Sequence, residues 1–192
     1  TVVYRGRGAI EAAKVGAVAS LIRSVSSASM QNPHTGVMRY DSTINRIPGA
    51  ALSTEDAEML ARMQARGEPV EMTLSMGATR LPDVTSRNVV AEIRGSTQPD
   101  QVVVLGGHID SWDVGQGAMD DGGGAVAAWQ ALLLMKRLGL TPKRTVRVVL
   151  WTSEETGGIG GIAYAKAHAA EAGRHVLAIE SDQGVFAPRG FE

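Results

Sequence analysis

Gln101-Val102-Val103-Val104-Leu105 leads into Gly107-His108-Ile109-Asp110-Ser111-Trp112-Asp113-Val114-Gly115-Gln116-Gly117-Ala118-Met119-Asp120-Asp121-Gly122-Gly123-Gly124, and a long apolar helical pattern follows. The second stretch packs one histidine, four aspartates and six glycines between two apolar segments. Nothing in that composition builds a hydrophobic core. It reads as a loop where metal and backbone meet, with a strand delivering it and a helix leaving it.

Working outward, Gly124–Leu138 is the helix, closed by Gly139 with Pro142 soon after. Thr145–Thr152 has the character of a buried strand, Gly160–Ala170 reads as helix and His175–Glu180 as strand. Strand, helix, strand, helix, strand is the pattern of a parallel α/β sheet with right-handed crossovers. Upstream, Asn88–Arg94 is a further strand, placed to pair with Gln101–Leu105 as a hairpin across a turn at 95–100. Thr79–Arg87 is the best linker candidate, and the residues before it read as a smaller α/β unit. There Thr1–Arg5 reads as strand, Gly6–Gly8 as turn, Ala9–Val18 as helix, Ala19–Ser24 as strand, and Ser24–Pro48 as a long polar loop. Ser53, with Asp56 three positions on, forms an N-cap, and Gly67 sits at the C′ position of the helix that follows. Pro69–Met76 alternates like a strand.

Three apolar strands therefore run into polar residues of one kind: His108, the pair Glu154-Glu155, and Asp182. In an open α/β sheet the carboxyl ends of parallel strands share one edge, where ligands bind. Residues far apart in sequence should converge there, and Asp120, in the loop opening the long helix, belongs on the same edge. So many carboxylates at one place repel one another unless a counter-charge is present. Two divalent cations meet that need, and a His-plus-carboxylate set without cysteine suits zinc, cobalt or manganese, zinc being the usual biological choice. Asp110, two positions after His108, has the right type to accept the other ring N–H and fix the tautomer. Glu154 beside Glu155 suggests that one ligates metal while the other stays free as a base. That is the minimum kit for hydrolysing an amide.

Gly107-His108-Ile109-Asp110-Ser111-Trp112-Asp113, Gly117-Ala118-Met119-Asp120-Asp121-Gly122-Gly123-Gly124, Trp151-Thr152-Ser153-Glu154-Glu155 and Glu180-Ser181-Asp182 resemble the motif set of the co-catalytic di-zinc aminopeptidase/carboxypeptidase family. Glu11-Ala12-Ala13-Lys14-Val15-Gly16-Ala17 and Pro33-His34-Thr35-Gly36 resemble a protease-associated insert found in that family. The resemblance implies an α/β fold: a protease-associated-type insert at 1–80, then at 81–192 the first part of a mixed, mainly parallel α/β/α zinc-exopeptidase sheet. It implies that His108 and Asp182 hold one zinc, that Asp120 bridges two, and that Glu155 holds the second. Glu154 would be the general base, with Asp110 orienting His108, and the Asp120–Asp121 peptide would be cis. A peptide or dipeptide substrate, a secreted or periplasmic location and a homodimer come with the same resemblance. The family's second zinc also takes a histidine well beyond the position of Asp182. The histidines here are His34, His108, His168 and His175. The chain, which opens like a strand already under way and stops at Glu192 without a capping signal, thus reads as a fragment, expected to bind metal poorly and to be inactive alone.

Composition narrows the alternatives. A net charge of −1, with hydrophobic content of 44% and charged content of 20%, gives no reason to expect nucleic acid as a partner. No apolar run is long enough to span a membrane, and zero cysteines exclude disulfides and thiolate metal sites. Gly115-x-Gly117 is no dinucleotide fingerprint, because its third glycine would fall at Asp120. Trp112 and Asp113 either border the substrate pocket or pack over the loop. Two rivals stand beside the exopeptidase: an aminopeptidase or aminoacylase using the same site, and a non-catalytic, receptor-like binding ectodomain.

Overall fold

The computed structural model describes residues 3–34, 36–112, 115–182, 184–187 and 189–190. Thr35 and Asp113, which fall within motifs quoted above, lie outside them. The chain forms two compact units, Thr1–Pro82 and Asp83–Glu192.

In the first unit, helix α1 (Val3–Lys14) precedes β1 (Ser20–Arg23), which pairs in parallel with β2 (Gly49–Leu52), and α2 (Thr54–Ala65) follows. Val3–Arg5, expected as strand, and Gly6–Gly8, expected as turn, are helical. Ala9 and Ile10 are buried on this helix, and the Gly6 carbonyl accepts the N–H of Arg39 at 2.8 Å. Burial of that apolar pair overrides the strand preference of the opening residues. At α2 the Ser53 hydroxyl accepts the N–H of Asp56 at 3.0 Å, and Gly67 follows at φ +75°. Pro69–Met76 is not a strand: the whole segment is exposed and pairs with no neighbour among the described residues. Alternation without a partner leaves the backbone bonded to water.

The second unit holds a four-stranded sheet of order β3-β5-β4-β6, built from Val89–Ile93, Arg144–Trp151, Gln98–His108 and His175–Glu180 in that order. β4 runs parallel to both β5 and β6, whereas β3 is antiparallel to β5. The expected β3–β4 hairpin is therefore absent. Instead of turning back onto β4, the connection lies on the entry to β5: Ser96 N–H donates to the Pro142 carbonyl at 2.9 Å and Gly95 N–H to Thr145 Oγ1 at 3.1 Å.

Alternation along the strands makes both faces apolar. Val102, Val104 and Val149 pack with Trp151 and Tyr164 on one face, the latter from α4 (Ile159–Ala167). On the other, Val148, Leu105, Val146 and Leu150 pack against Ala128 and Leu132 of α3 (Gly122–Arg137). This mixed α/β architecture leaves the carboxyl ends of β4, β5 and β6 along one edge, with β4 in the middle.

Candidate metal centre

His108 is the last residue of the central strand, in register with Trp151 of β5, and Gly106 is in register with Glu180 of β6. Glu154 and Glu155 thus follow β5 by a short turn, and Asp182 follows β6, on either side of His108. The pairing continues past the strands, with Ile109 N–H donating to the Trp151 carbonyl at 2.8 Å and Ser181 N–H to that of Gly106 at 3.1 Å. Adjacent parallel strands bring together residues that are far apart in the chain.

The imidazole of His108 is buried, and its two nitrogens face different surroundings. Nδ1 lies 2.8 Å from the backbone carbonyl of Asp110, which can only accept, so Nδ1 carries a proton. Asp110 is the expected orienting residue, but the group on the ring is its carbonyl; its carboxylate oxygen is 3.8 Å away. That carboxylate instead accepts the backbone N–H groups of Glu154 at 2.9 Å and Glu155 at 3.2 Å. Nε2 faces Asp120 Oδ1 at 3.0 Å, Asp182 Oδ1 at 3.2 Å and Glu154 Oε2 at 4.0 Å. Glu155 joins His108 and Asp120 in a set whose ligand atoms lie within 4.8 Å of one another, and Asp182 joins His108 and Asp121 in a second. All of the site residues singled out from the sequence converge on this edge.

The electrostatics are those of an anionic site around one ring. Burial of the His108 ring opposes its charged form, but the Asp110 carbonyl and the Asp182, Asp120 and Asp121 carboxylates outweigh it and lift its pKa to about 9. Burial pushes the carboxyls of Glu154, Glu155 and Asp182 above their ordinary values, and repulsion from neighbouring carboxylates adds to it. Two carboxylate oxygens here are buried without a hydrogen-bond partner, Glu155 Oε1 and Asp182 Oδ1. The latter sits within ion-pair distance of Nε2 but outside hydrogen-bond geometry. Buried acceptors without donors are costly. One histidine nitrogen and several carboxylate oxygens, two of them orphaned, form a donor set that fits divalent cations.

Asp121, the second of the adjacent acids, anchors the site through a backbone contact to His108 that motif reasoning does not anticipate. It is almost fully buried, its Oδ2 accepts the His108 N–H, and its Oδ1 accepts the Gly124 N–H at 3.0 Å as the N-cap of α3. The available signal is an Asp three residues before the first buried glycine of a helix. The Asp120–Asp121 peptide is cis. Beside His108 opens a cleft of about 280 Å³ lined by Ile109, Gln116, Val126, Trp129 and Leu150, among others. Trp112 is not part of its lining, and Asp113 lies outside the described residues. His168 and His175 sit elsewhere, half-buried, around Tyr164: His168 pairs with Glu171 and His175 Nε2 accepts from the Tyr164 hydroxyl at 2.9 Å.

The model of peptidase family M28 matches residues 88–190. Carboxypeptidase Q of Pongo abelii is 56% identical over 192 residues, which is 100% of this chain and 41% of that protein. The chain therefore spans about two fifths of the length of the curated relatives it matches. Among solved structures, a peptidase M28 precursor from Shewanella amazonensis superposes with a TM-score of 0.89 at 45% identity, over 96% of this chain and 42% of that one. BSAP, a zinc aminopeptidase from Bacillus subtilis, shares the fold at a TM-score of 0.62 and 18% identity, over 93% of this chain and 41% of that one. With a family model spanning more than half of its residues and that degree of superposition, the chain belongs to peptidase family M28.

Proposed function

We propose that this chain carries most of the active site of a zinc-dependent exopeptidase that hydrolyses dipeptides or short peptides. The observation that carries this reading is the meeting of His108, Asp120, Glu154, Glu155 and Asp182 at one sheet edge, with Glu155 Oε1 and Asp182 Oδ1 buried and unsatisfied. His108 and Asp182 would hold one zinc, Glu155 would hold a second, and Asp120 would serve both. Bound there, the ions would polarise the scissile carbonyl and acidify a water molecule. Glu154, 4.0 Å from His108 Nε2 through Oε2, would be the group to take a proton from such a water and pass it to the leaving amine. The Asp110 carbonyl keeps the Nδ1 proton in place, leaving Nε2 as the donor to metal. The cleft beside His108 receives part of the substrate.

In the same reading, residues 1–80 are a protease-associated-type insert and 81–192 the first part of the catalytic domain. The resemblance extends to a secreted or periplasmic protein acting as a homodimer. No helix among the described residues is long and apolar enough to cross a membrane. A non-catalytic role is disfavoured because the acid set and the base are all present.

The test uses a protein that carries this chain at the length of its carboxypeptidase Q relatives, crystallised with zinc. An anomalous difference map should show two peaks about 3.5 Å apart, with His108, Asp120, Glu155 and Asp182 nearest. One peak, or peaks away from these residues, overturns the two-ion assignment. Turnover of dipeptides against longer aminoacyl and N-acyl substrates separates the exopeptidase from an aminopeptidase or an aminoacylase.

A further inference from the structure

Glu154 and Glu155 sit on a loop that leaves β5 at Trp151, turns through Ser153 at φ +56°, and enters α4 at Ile159. Asp110 holds the far side of this loop through the two glutamate N–H groups. Its neck is held by a residue that touches no member of the metal set. Asn88, immediately before β3, donates from Nδ2 to the Gly160 carbonyl at 2.8 Å and accepts the Thr152 N–H on Oδ1 at 3.0 Å. The two ends of the neck are also bonded to each other, Gly160 N–H to the Thr152 carbonyl at 2.9 Å. Two positions earlier, the Ser86 hydroxyl meets that of Thr152 at 2.6 Å.

The fit is close. A Cβ on Gly160 would stand 2.4 Å from Asn88 Oδ1 and 2.5 Å from the Thr152 carbonyl oxygen, so only glycine lets the amide reach the backbone there. The chemistry is equally restrictive, because closing this neck needs one donor and one acceptor from a single planar group. An amide supplies both, whereas a carboxylate of the same shape is an acceptor only. The latter would set an oxygen against the Gly160 carbonyl.

We infer that Asn88 is a positioning residue for the Glu154–Glu155 turn. By fixing where the loop leaves β5 and where it rejoins α4, it sets the reach of both carboxylates toward His108. The loop clamp itself is independent of any metal; its consequence for turnover rests on the metallopeptidase reading above.

Backbone amide exchange of the full metal-free chain tests the clamp, read by NMR in the wild type, Asn88→Ala and Asn88→Asp. The expected result is exchange at least tenfold faster at Glu154, Glu155 and Gly157, which Asn88 does not touch, with wild-type rates kept at Val104–Gly106 and Val148–Leu150. Asn88→Asp, equal in size, should be no better than Asn88→Ala. Wild-type exchange in Asn88→Asp would make residue 88 a mere spacer and overturn the inference. So would acceleration spread evenly through all four strands. Gly160→Ala attacks the same contact from the other side and should reproduce the local signature if the Asn88 variants fold poorly; wild-type rates there also count against the clamp. In a protein with measurable peptidase turnover, Asn88→Asp should lower kcat at least tenfold with KM unchanged. If the exchange signature appears but a wild-type protein carrying this chain at the full length of its relatives neither binds zinc nor cleaves peptides, the enzyme reading falls and the clamp stands.

Discussion

Asp121 Oδ2 accepts the backbone N–H of His108 at 2.9 Å, joining residues thirteen positions apart. The other oxygen of the same carboxylate caps α3 at Gly124. One buried carboxylate thus ties the end of β4 to the start of α3, and between these anchors hangs the loop carrying Asp110 and Asp120.

Replacing Asp121 should therefore cost more than an ordinary helix cap. Asp121→Ala removes the cap and leaves a buried N–H on His108 without an acceptor, a loss of about 2–4 kcal/mol. An amide in the same place can satisfy one N–H but presents its own donor to the other, so Asp121→Asn offers at best partial relief. Urea unfolding curves of the variants check this; a loss below about 0.5 kcal/mol in Asp121→Ala would show that the clamp carries little of the stability.

Glu154→Gln separates proton transfer from metal binding. In a protein of full relative length, kcat should fall roughly a hundred- to ten-thousand-fold, with zinc content by elemental analysis unchanged. Near-normal kcat would remove Glu154 from the role of base. Loss of zinc would instead make it a ligand.

Gly124→Ala should destabilise, against the usual preference of helices for alanine over glycine, worth about 1 kcal/mol. A Cβ there would lie 1.6 Å from the Ser181 carbonyl oxygen and 2.4 Å from Asp121 Oδ1. The melting temperature should drop, and the loops bearing Asp120 and Asp182 should shift apart in a crystal structure of the variant.

Glu55 provides a pH handle in the first unit. Its carboxylate is held at about 2, below the ordinary 4.5, by its own backbone N–H, by the N–H and hydroxyl of Ser29, and by the N–H of Gln31. A folded-state pKa below the unfolded one contributes stability that is fully present above about 4.5 and disappears as pH falls toward 2. Stability of the wild type should therefore decline across that window more steeply than that of Glu55→Gln. A Glu55 carboxyl titrating near its ordinary value in a carbon-detected NMR titration would contradict this.

The convergence of the candidate site residues is more legible in the sequence than the strand pairing is. His108, Asp120, Glu154, Glu155 and Asp182 can be placed on one edge because each lies just beyond an apolar strand or opens a helix, and parallel strands align their ends. Pairing partners are set by contacts that no local pattern records. The hairpin between β3 and β4 fails because Ser96 and Gly95 bond to the approach to β5, far along the chain. Helix α1 is hidden because Val3, Tyr4 and two glycines are poor helix formers whose preference yields to packing at Ala9 and Ile10. Asn88 and Asp121 escape for a related reason: both act through backbone groups of distant segments, and backbone partners leave no trace in residue identity.

The strand order has one more consequence. Neighbouring strands in a sheet lie about 4.8 Å apart, and His108 stands on the strand between those that lead to Glu154-Glu155 and to Asp182. The lateral spacing of these side chains is thus inherited from main-chain hydrogen bonds, which are indifferent to side-chain identity. The loops beyond the strand ends can change in length and composition while the lateral gauge of His108, Glu154, Glu155 and Asp182 stays constant.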